Sequence, residues 1–450
     1  NKFVEAIGVV YSTASDNNNK AAANTWLQTF STGPLAWDVC QQVISTATNQ
    51  SPEICFFTIN MFYRKIKREW MSLDDGMKSK LQSWLLGIIK SVATDGSGTF
   101  DQNSTARLCL CLAAVASYMP GGVSSVVQFG LGVVQQQPNG VVVAIELITG
   151  VADEVKEADA VREKSLNLQF EVKKALPDVI RLCSFLLIAE QSPISLSKMG
   201  ALFQPTSQQQ GGGRAIKLVI NCISRWSLVG LTVSTLRTDY FDLFNGLVSV
   251  LMTGPPPLLE VTVDAFCNML SVSSYPRGSG QNDGVAKLSS ACVQSRARFQ
   301  KAVADDDENT CRQICRLASA IGEHETDLVA RGEGEMLKLV HLIFEFLSCT
   351  KMREVAIITL DFWINLCDIE VQQRHPSLRQ EAFVSLVTTV VSQASYPEEM
   401  LPLSATEFEE GLLDDDFGPF RVGTGGKEML VFAFYLLKSK WTFLRFRQFS

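Results

Sequence analysis

SPEICFFTINMFYRKIKREW, residues 51–70, decides the fold. Cys55, Ile59, Phe62 and Ile66 fall at steps of four, three and four, and Ile54, Phe57 and Met61 flank them. That spacing puts one broad apolar stripe along a helix, with Asn60, Arg64 and Lys67 on the other side. Pro52 stands at the first helical position, where its missing N–H removes no bond. Arg64, Lys65, Lys67 and Arg68 crowd the far end and complement the negative end of the helix dipole. A single stripe has no way to bury itself, so this helix needs neighbours.

The same pattern spreads in both directions. Leu81, Trp84, Leu85, Ile88 and Val92 make the next stripe, followed by Leu108, Cys111, Leu112 and Val115, then Val127, Leu131 and Val134. Leu176, Ile180, Cys183 and Leu187 continue it, then Phe241, Phe244, Val248 and Leu251. Met336, Leu339, Val340, Ile343 and Leu347 follow, then Ile358, Phe362 and Leu366, and last Phe383, Leu386, Val387 and Val390. Two β-branched runs, GVVVAIELITG from Gly140 and VSLVTTVVS from Val384, offer strands as an alternative. β-Branching favours strands only modestly, and the three-and-four spacing outlasts any alternation. Breaks at Gly33-Pro34, Ser51-Pro52, Asp95–Gly98, Met119–Gly122, Pro138–Gly140, Gly254–Pro257 and His375-Pro376 separate the helices. Pairs of helices recur at about the 40 to 47 residues of HEAT-type units. The expected fold is all-α, a HEAT-repeat α-solenoid of antiparallel helix pairs. Gln204–Gly213 and Ser273–Gly284 read as linkers too rich in Gln, Gly and Ser to build a core.

Composition excludes several functions. Of 450 residues, 46% are hydrophobic and 19% charged, a balance for burying a core. Acidic residues outnumber basic ones 47 to 40, for a net charge of -7. A nucleic-acid binder needs a basic face, so direct nucleic-acid binding is not expected, whereas basic partners are. No run reaches the roughly 18 to 20 apolar residues of a membrane span; Met429–Leu437 is interrupted by Lys438 and Lys440. The chain opens at Asn1 inside a periodic stretch, which reads as lacking its beginning.

Catalytic and metal templates fail in turn. The 12 cysteines form no CxxC pair and sit mostly in apolar runs, as small hydrophobes would. Gly426-Lys427 is followed by Glu428 and lacks the upstream glycine of a phosphate loop; Gly130-Leu131-Gly132 lacks a third glycine. Of 3 histidines, His324 lies between two glutamates, His341 reads as a packing residue beside a stripe, and His375 as a helix end. Neither an enzyme nor a cofactor is expected. Two acidic runs, Asp305-Asp306-Asp307-Glu308 and Asp414-Asp415-Asp416, read either as solvated helix starts or as contacts for a basic partner. Trp26, Trp37, Trp226 and Trp363 are expected to fill repeat cores, with Trp37 followed by Asp38 and Gln41 on a short second helix.

Several stretches, in order along the chain, resemble one family. They are Asn24–Leu27 with Leu35–Asp38, Cys55–Phe57 through Met61 to Ile66, and Ala106 to Met119-Pro120. Glu146–Thr149 with Asp153–Val155, Cys222–Trp226, Asp361–Leu366 and Asp414–Arg421 follow. Together they are similar to the importin-β superfamily, in its transportin-SR and importin-thirteen-like branch, over the family's N-terminal half.

The resemblance implies a nuclear transport receptor that shuttles between nucleus and cytoplasm through the pore. It implies three partners: Phe-Gly nucleoporins, protein cargo that is basic or Ser/Arg-rich, and Ran in its GTP form, which releases the cargo. Ran would lie on the second helices, about 35–47, 77–92 and 123–135, where Trp37, Asp38, Gln41 and Gln42 are the candidate contacts. The alternative is a Ran-independent helical-repeat scaffold. The expected organisation is residues 1–93 as N-terminal Ran-binding repeats, 94–272 and 273–421 as further repeats, and 422–450 as an atypical tail. That tail carries five basic residues, one acidic residue and seven aromatics, and reads as a mispredicted or truncated end, with a membrane-surface helix as the alternative. A truncated, non-functional product is the third reading. The family's arginine-rich helix for phosphorylated Ser/Arg segments belongs to the half this chain lacks, so cargo identity stays open.

Overall fold

In the computed structural model, residues 2–13, 15–94, 100–136, 140–158, 162–191, 211–272 and 283–394 are described. Asp414–Asp416, the 422–450 tail and most of both Gln/Gly/Ser-rich linkers lie outside them. Every regular element among the described residues is helical, and both β-branched runs are helices. The chain divides into two compact units, Asn1–Leu231 and Thr232–Ser450.

The first unit contains α1 (Lys2–Tyr11), α2 (Asn17–Thr32), α3 (Leu35–Ser45), α4 (Pro52–Glu69) and α5 (Asp75–Thr94). It continues with α6 (Gln102–Ser117), α7 (Gly122–Gln136), α8 (Gly140–Ala158), α9 (Arg162–Gln191) and α10 (Gly211–Ser227). One row runs α4, α6, α8, α10, each packed on the next; α3 lies on α4, α5 on α6, α7 on α8 and α9 on α7 and α10. The second unit holds α11 (Val233–Asp239), α12 (Phe241–Thr253), α13 (Pro256–Val272), α14 (Asp283–Gln294) and α15 (Arg296–Ala304). Then come α16 (Glu308–His324), α17 (Thr326–Arg331), α18 (Met336–Leu347), α19 (Arg353–Ile357), α20 (Leu360–Cys367) and α21 (Gln380–Ala394). Here α13, α16 and the α19–α20 pair form the row, with α12 on α13, α14 on α16 and α18 on α16. In each unit, then, the chain is an all-α stack of the HEAT-repeat type, every helix supported by its partner and by the next pair.

The starts of the helices follow local chemistry. Asp16, Ser51, Asp101, Thr232 and Asp307 each accept the backbone N–H three residues on, at the N-termini of α2, α4, α6, α11 and α16. The ends are less local. Arg298 on α15 donates to the carbonyls of Leu251 (2.7 Å) and Gly254 (2.5 Å) at the end of α12. Arg374 donates to Cys367 (2.7 Å) and Ile369 (2.8 Å) past α20, and Gln393 on α21 donates to Leu347 (3.0 Å) closing α18. At the other polarity, Glu171 on α9 accepts the N–H groups of Gly121 (2.6 Å) and Val123 (3.1 Å) at the start of α7.

The stripes in α4, α6 and α18 are buried as the spacing predicts. Two are rotated. In α5 the buried line is Leu81, Leu85, Ile89 and Ala93, while Trp84, Ile88 and Val92 are half-buried. In α12 it is Leu243, Phe244, Leu247, Val250 and Leu251, and Phe241 is exposed. Bulk misleads here, because small side chains such as Ala93 are buried where helices approach closely. His341 is exposed, since the α18 stripe passes on its other side. His375 does not end a helix: it opens a single 3₁₀ turn, its ring nitrogen accepting the Ser377 N–H. Of the four tryptophans expected in repeat cores, Trp37, Trp226 and Trp363 are buried and Trp26 is half-buried, stacked on Phe30.

At Gly322 two helices of the second row pass close to each other. A Cβ placed there would lie 2.6 Å from two ring carbons of Phe362, so α16 and α20 meet without room for a methyl. Gly322→Ala is expected to lower stability by about 1–3 kcal/mol. Adding Phe362→Leu should leave the double variant less destabilised than the sum of the single ones, read by chemical denaturation.

Candidate partner-binding surface

The four residues proposed on α3 divide between core and solvent. Ala36, Trp37, Cys40, Val43 and Ile44 are buried and define the inward side of α3; Asp38 and Gln42 are exposed and Gln41 is half-buried. Trp37 is only 5% exposed, its ring edge-on to Phe62 at 5.3 Å. Phe62 in turn meets Trp84, whose indole N–H donates to the Ser45 hydroxyl at the end of α3 (3.1 Å). Trp37 is therefore the anchor that orients α3, and Asp38, Gln41 and Gln42 are the members of the set that reach solvent.

Lys65 completes the anchor. Its side chain is fully buried, its ammonium 2.9 Å from the Gly33 carbonyl, 3.2 Å from the Ser31 carbonyl and 2.6 Å from Glu69. The same ammonium lies 5.3 Å from the centre of the Trp37 ring, a cation–π distance. It thus satisfies the last carbonyls of α2 and fixes the turn into α3, rather than only complementing the dipole of its own helix. One signal was present in the sequence: Lys65 lies three residues after Phe62 and one before Ile66, inside the stripe. Burial pushes the adjacent Cys40 thiol up to about 12, so it is an unreactive small hydrophobe.

Two residues further on, Lys67 turns to the other neighbour. It bridges Glu154 and Glu157 on α8, both at 2.7 Å, and the Tyr63 hydroxyl donates to Glu154 at 2.6 Å. The Arg107 guanidinium stands 5.4 Å over the Tyr63 ring, tying α6 to the same node. Glu154 is 2% exposed, and burial pushes its carboxyl up against the opposing bonds from Lys67 and Tyr63. Burial alone would lower Lys67, but the bonds and charges of Glu154 and Glu157 outweigh it and hold the ammonium above its ordinary value. Sequence reading singled out Glu154 only within a resembling stretch and missed this node, because residues about 90 apart in the chain share no local signal.

The acidic run before α16 has local duties. Asp307 accepts both the N–H and the hydroxyl of Thr310, and Glu308 pairs with Arg312, which also reaches Glu354 at 2.5 Å. Asp306 adopts a left-handed backbone (φ 54°), and Asp305 closes α15. Asp305 and Asp306 are exposed; Asp307 is half-buried. Among the described residues no group of three His, Cys, Asp or Glu side chains is placed to hold a metal, and no helix is long and apolar enough to cross a membrane.

Lys65→Met should cost about 2–4 kcal/mol, because it strands buried carbonyls and the Trp37 face. Amide exchange should speed up through residues 27–45, while α16 and α18 keep their protection. A raised Lys67 stabilises the fold below its ordinary pKa of 10.5 and loses that contribution as pH rises through the higher folded value. Lys67→Met should therefore flatten the alkaline limb of the stability-versus-pH curve.

Comparison with known proteins fits this architecture. A family model described as the Transportin-3/Importin-13 second TPR domain matches residues 306–394, from the acidic run to the end of α21. Transportin MOS14 of Arabidopsis thaliana is 22% identical over 432 residues, which are 91% of this chain and 42% of that protein. Importin-13 of Mus musculus is 21% identical over 402 residues, 85% of this chain and 38% of its own length. Importin-13 of Homo sapiens is likewise 21% identical over 401 residues, with the same coverage. The chain spans about two fifths of the length of these curated relatives. A solved circular tandem repeat protein covers 98% of the chain at 12% identity and a TM-score of 0.30, too slight a likeness to bear on the fold. In sequence, then, the chain is similar to transportin and importin-13 proteins of the importin-β superfamily through most of its length.

Proposed function

We propose that the chain is part of a nuclear import receptor that binds protein cargo and gives it up when Ran-GTP binds. The similarity to a transportin and to importins, running through 85–91% of the chain, is the observation that carries the reading. Ran would contact the solvent side of α3 through Asp38, Gln41 and Gln42, with Trp37 and Lys65 holding that side in register. The exposed Asp305 and Asp306 suit a basic or Ser/Arg-rich cargo. Asp414–Asp416 would add to that charge. Passage through the pore would use contacts with Phe-Gly nucleoporins, giving a protein that shuttles between cytoplasm and nucleus.

The physical requirement is reciprocal. If Ran-GTP weakens cargo binding by some factor, cargo weakens Ran-GTP binding by the same factor. Couplings of about 1–3 kcal/mol are typical, and complete unloading needs more.

Immobilised chain should retain Ran loaded with GTP and pass Ran loaded with GDP. Asp38→Lys combined with Gln42→Glu should reduce the retained GTP form about tenfold without altering the circular dichroism spectrum. Equal retention of both nucleotide forms, or none, would leave the Ran-independent scaffold in its place.

A further inference from the structure

The long helix α9 carries an outward side with two exposed phenyl rings and three exposed cations. Phe170 is 71% exposed and Phe185 61%, while Lys173, Lys174 and Arg181 are exposed between them. At about 100° per residue these five positions fall within one third of the helix circumference, so they share a side. The opposite side is the one used for packing: Val172, Ala175, Val179, Ile180, Leu182, Cys183 and Leu186 are buried. The nearby carboxylates are already engaged. Glu171 accepts two backbone N–H groups at the start of α7, and Asp178 accepts from Gln128 at 3.0 Å and pairs with Arg181 at 3.3 Å. What remains is a net positive strip with a phenyl ring at each end, about 22 Å apart by helical rise.

We infer that this side of α9 is a docking surface for an acidic peptide segment that carries apolar residues at both ends. The order of groups selects the occupant. A helix that lies on a membrane needs a continuous apolar side with its cations at the flanks. Here the cations occupy the middle and the rings the ends. Carboxylates placed centrally meet Lys173, Lys174 and Arg181, while an apolar residue at either end covers Phe170 or Phe185. Burying two phenyl rings supplies the anchors, and the charges supply register and attraction at a distance. The surface is independent of the α3 contact and of the transport reading.

The test uses the full chain and a fluorescein-labelled synthetic peptide of alternating Glu and Ala, bracketed by Leu-Phe pairs, followed by fluorescence anisotropy. Binding should weaken as salt is raised. Phe170→Ser with Phe185→Ser should weaken it about tenfold and leave the salt dependence in place. Lys173→Glu, Lys174→Glu and Arg181→Glu together should weaken it at least as much and abolish the salt dependence. All five positions are exposed, and unchanged circular dichroism and melting would confirm that the variants fold. A peptide with Lys in place of Glu should not bind. Equal binding of the Lys peptide, or unchanged binding by both variants, would overturn the assignment. So would co-sedimentation with phosphatidylserine vesicles in the absence of peptide binding, which would make the strip a lipid surface.

Discussion

Helix ends packed inside a stack leave carbonyls partly shielded from water, and at four of them this chain answers with side chains borrowed from elsewhere. Lys65, Arg298, Arg374 and Gln393 each donate to the last carbonyls of an earlier element. A Lys or Arg at that place also meets the negative end of the dipole. Burial lowers the pKa of Arg298 and Arg374, yet a guanidinium stays charged well above neutral pH. These bonds add a directional constraint on where one helix stops relative to another, beside the interdigitation of the packed side chains.

Much of the fold was legible because it is written locally. The stripe Cys55, Ile59, Phe62, Ile66 and the helix start at Pro52 need only a few residues of context, and both stand as read. Two β-branched runs became helices because spacing outweighed propensity. The rotated stripes in α5 and α12 show the limit: which of Ile88 and Ile89 turns inward depends on the neighbour's position, and the sequence does not carry that locally. The borrowed caps lie further still from local reading. Lys65 looked like a dipole partner for α4 and is the keystone of the α2–α3 turn, 32 residues away.

The candidate site shows the same division. Trp37, Asp38, Gln41 and Gln42 are adjacent in sequence, but a helix separates them by about 100° steps, so the tryptophan faces the core while Asp38 and Gln42 face water. Sequence reading found the helix and could not sort its sides. The acidic run at 305–308 was legible as a helix start, and Asp307 does cap α16, which leaves Asp305, Asp306 and the Arg312-paired Glu308 as its exposed carboxylates.

Lys65 and Lys67 anchor α4 in two directions. They sit two residues apart on α4 and point to different neighbours, one to the α2–α3 turn and one to Glu154 on α8. Both are held by groups with little tolerance for displacement: two carbonyls and a ring on one side, two carboxylates and a tyrosine on the other. The two lysines thus tie α4 to its neighbours on both sides, one through the α2–α3 turn and one through α8.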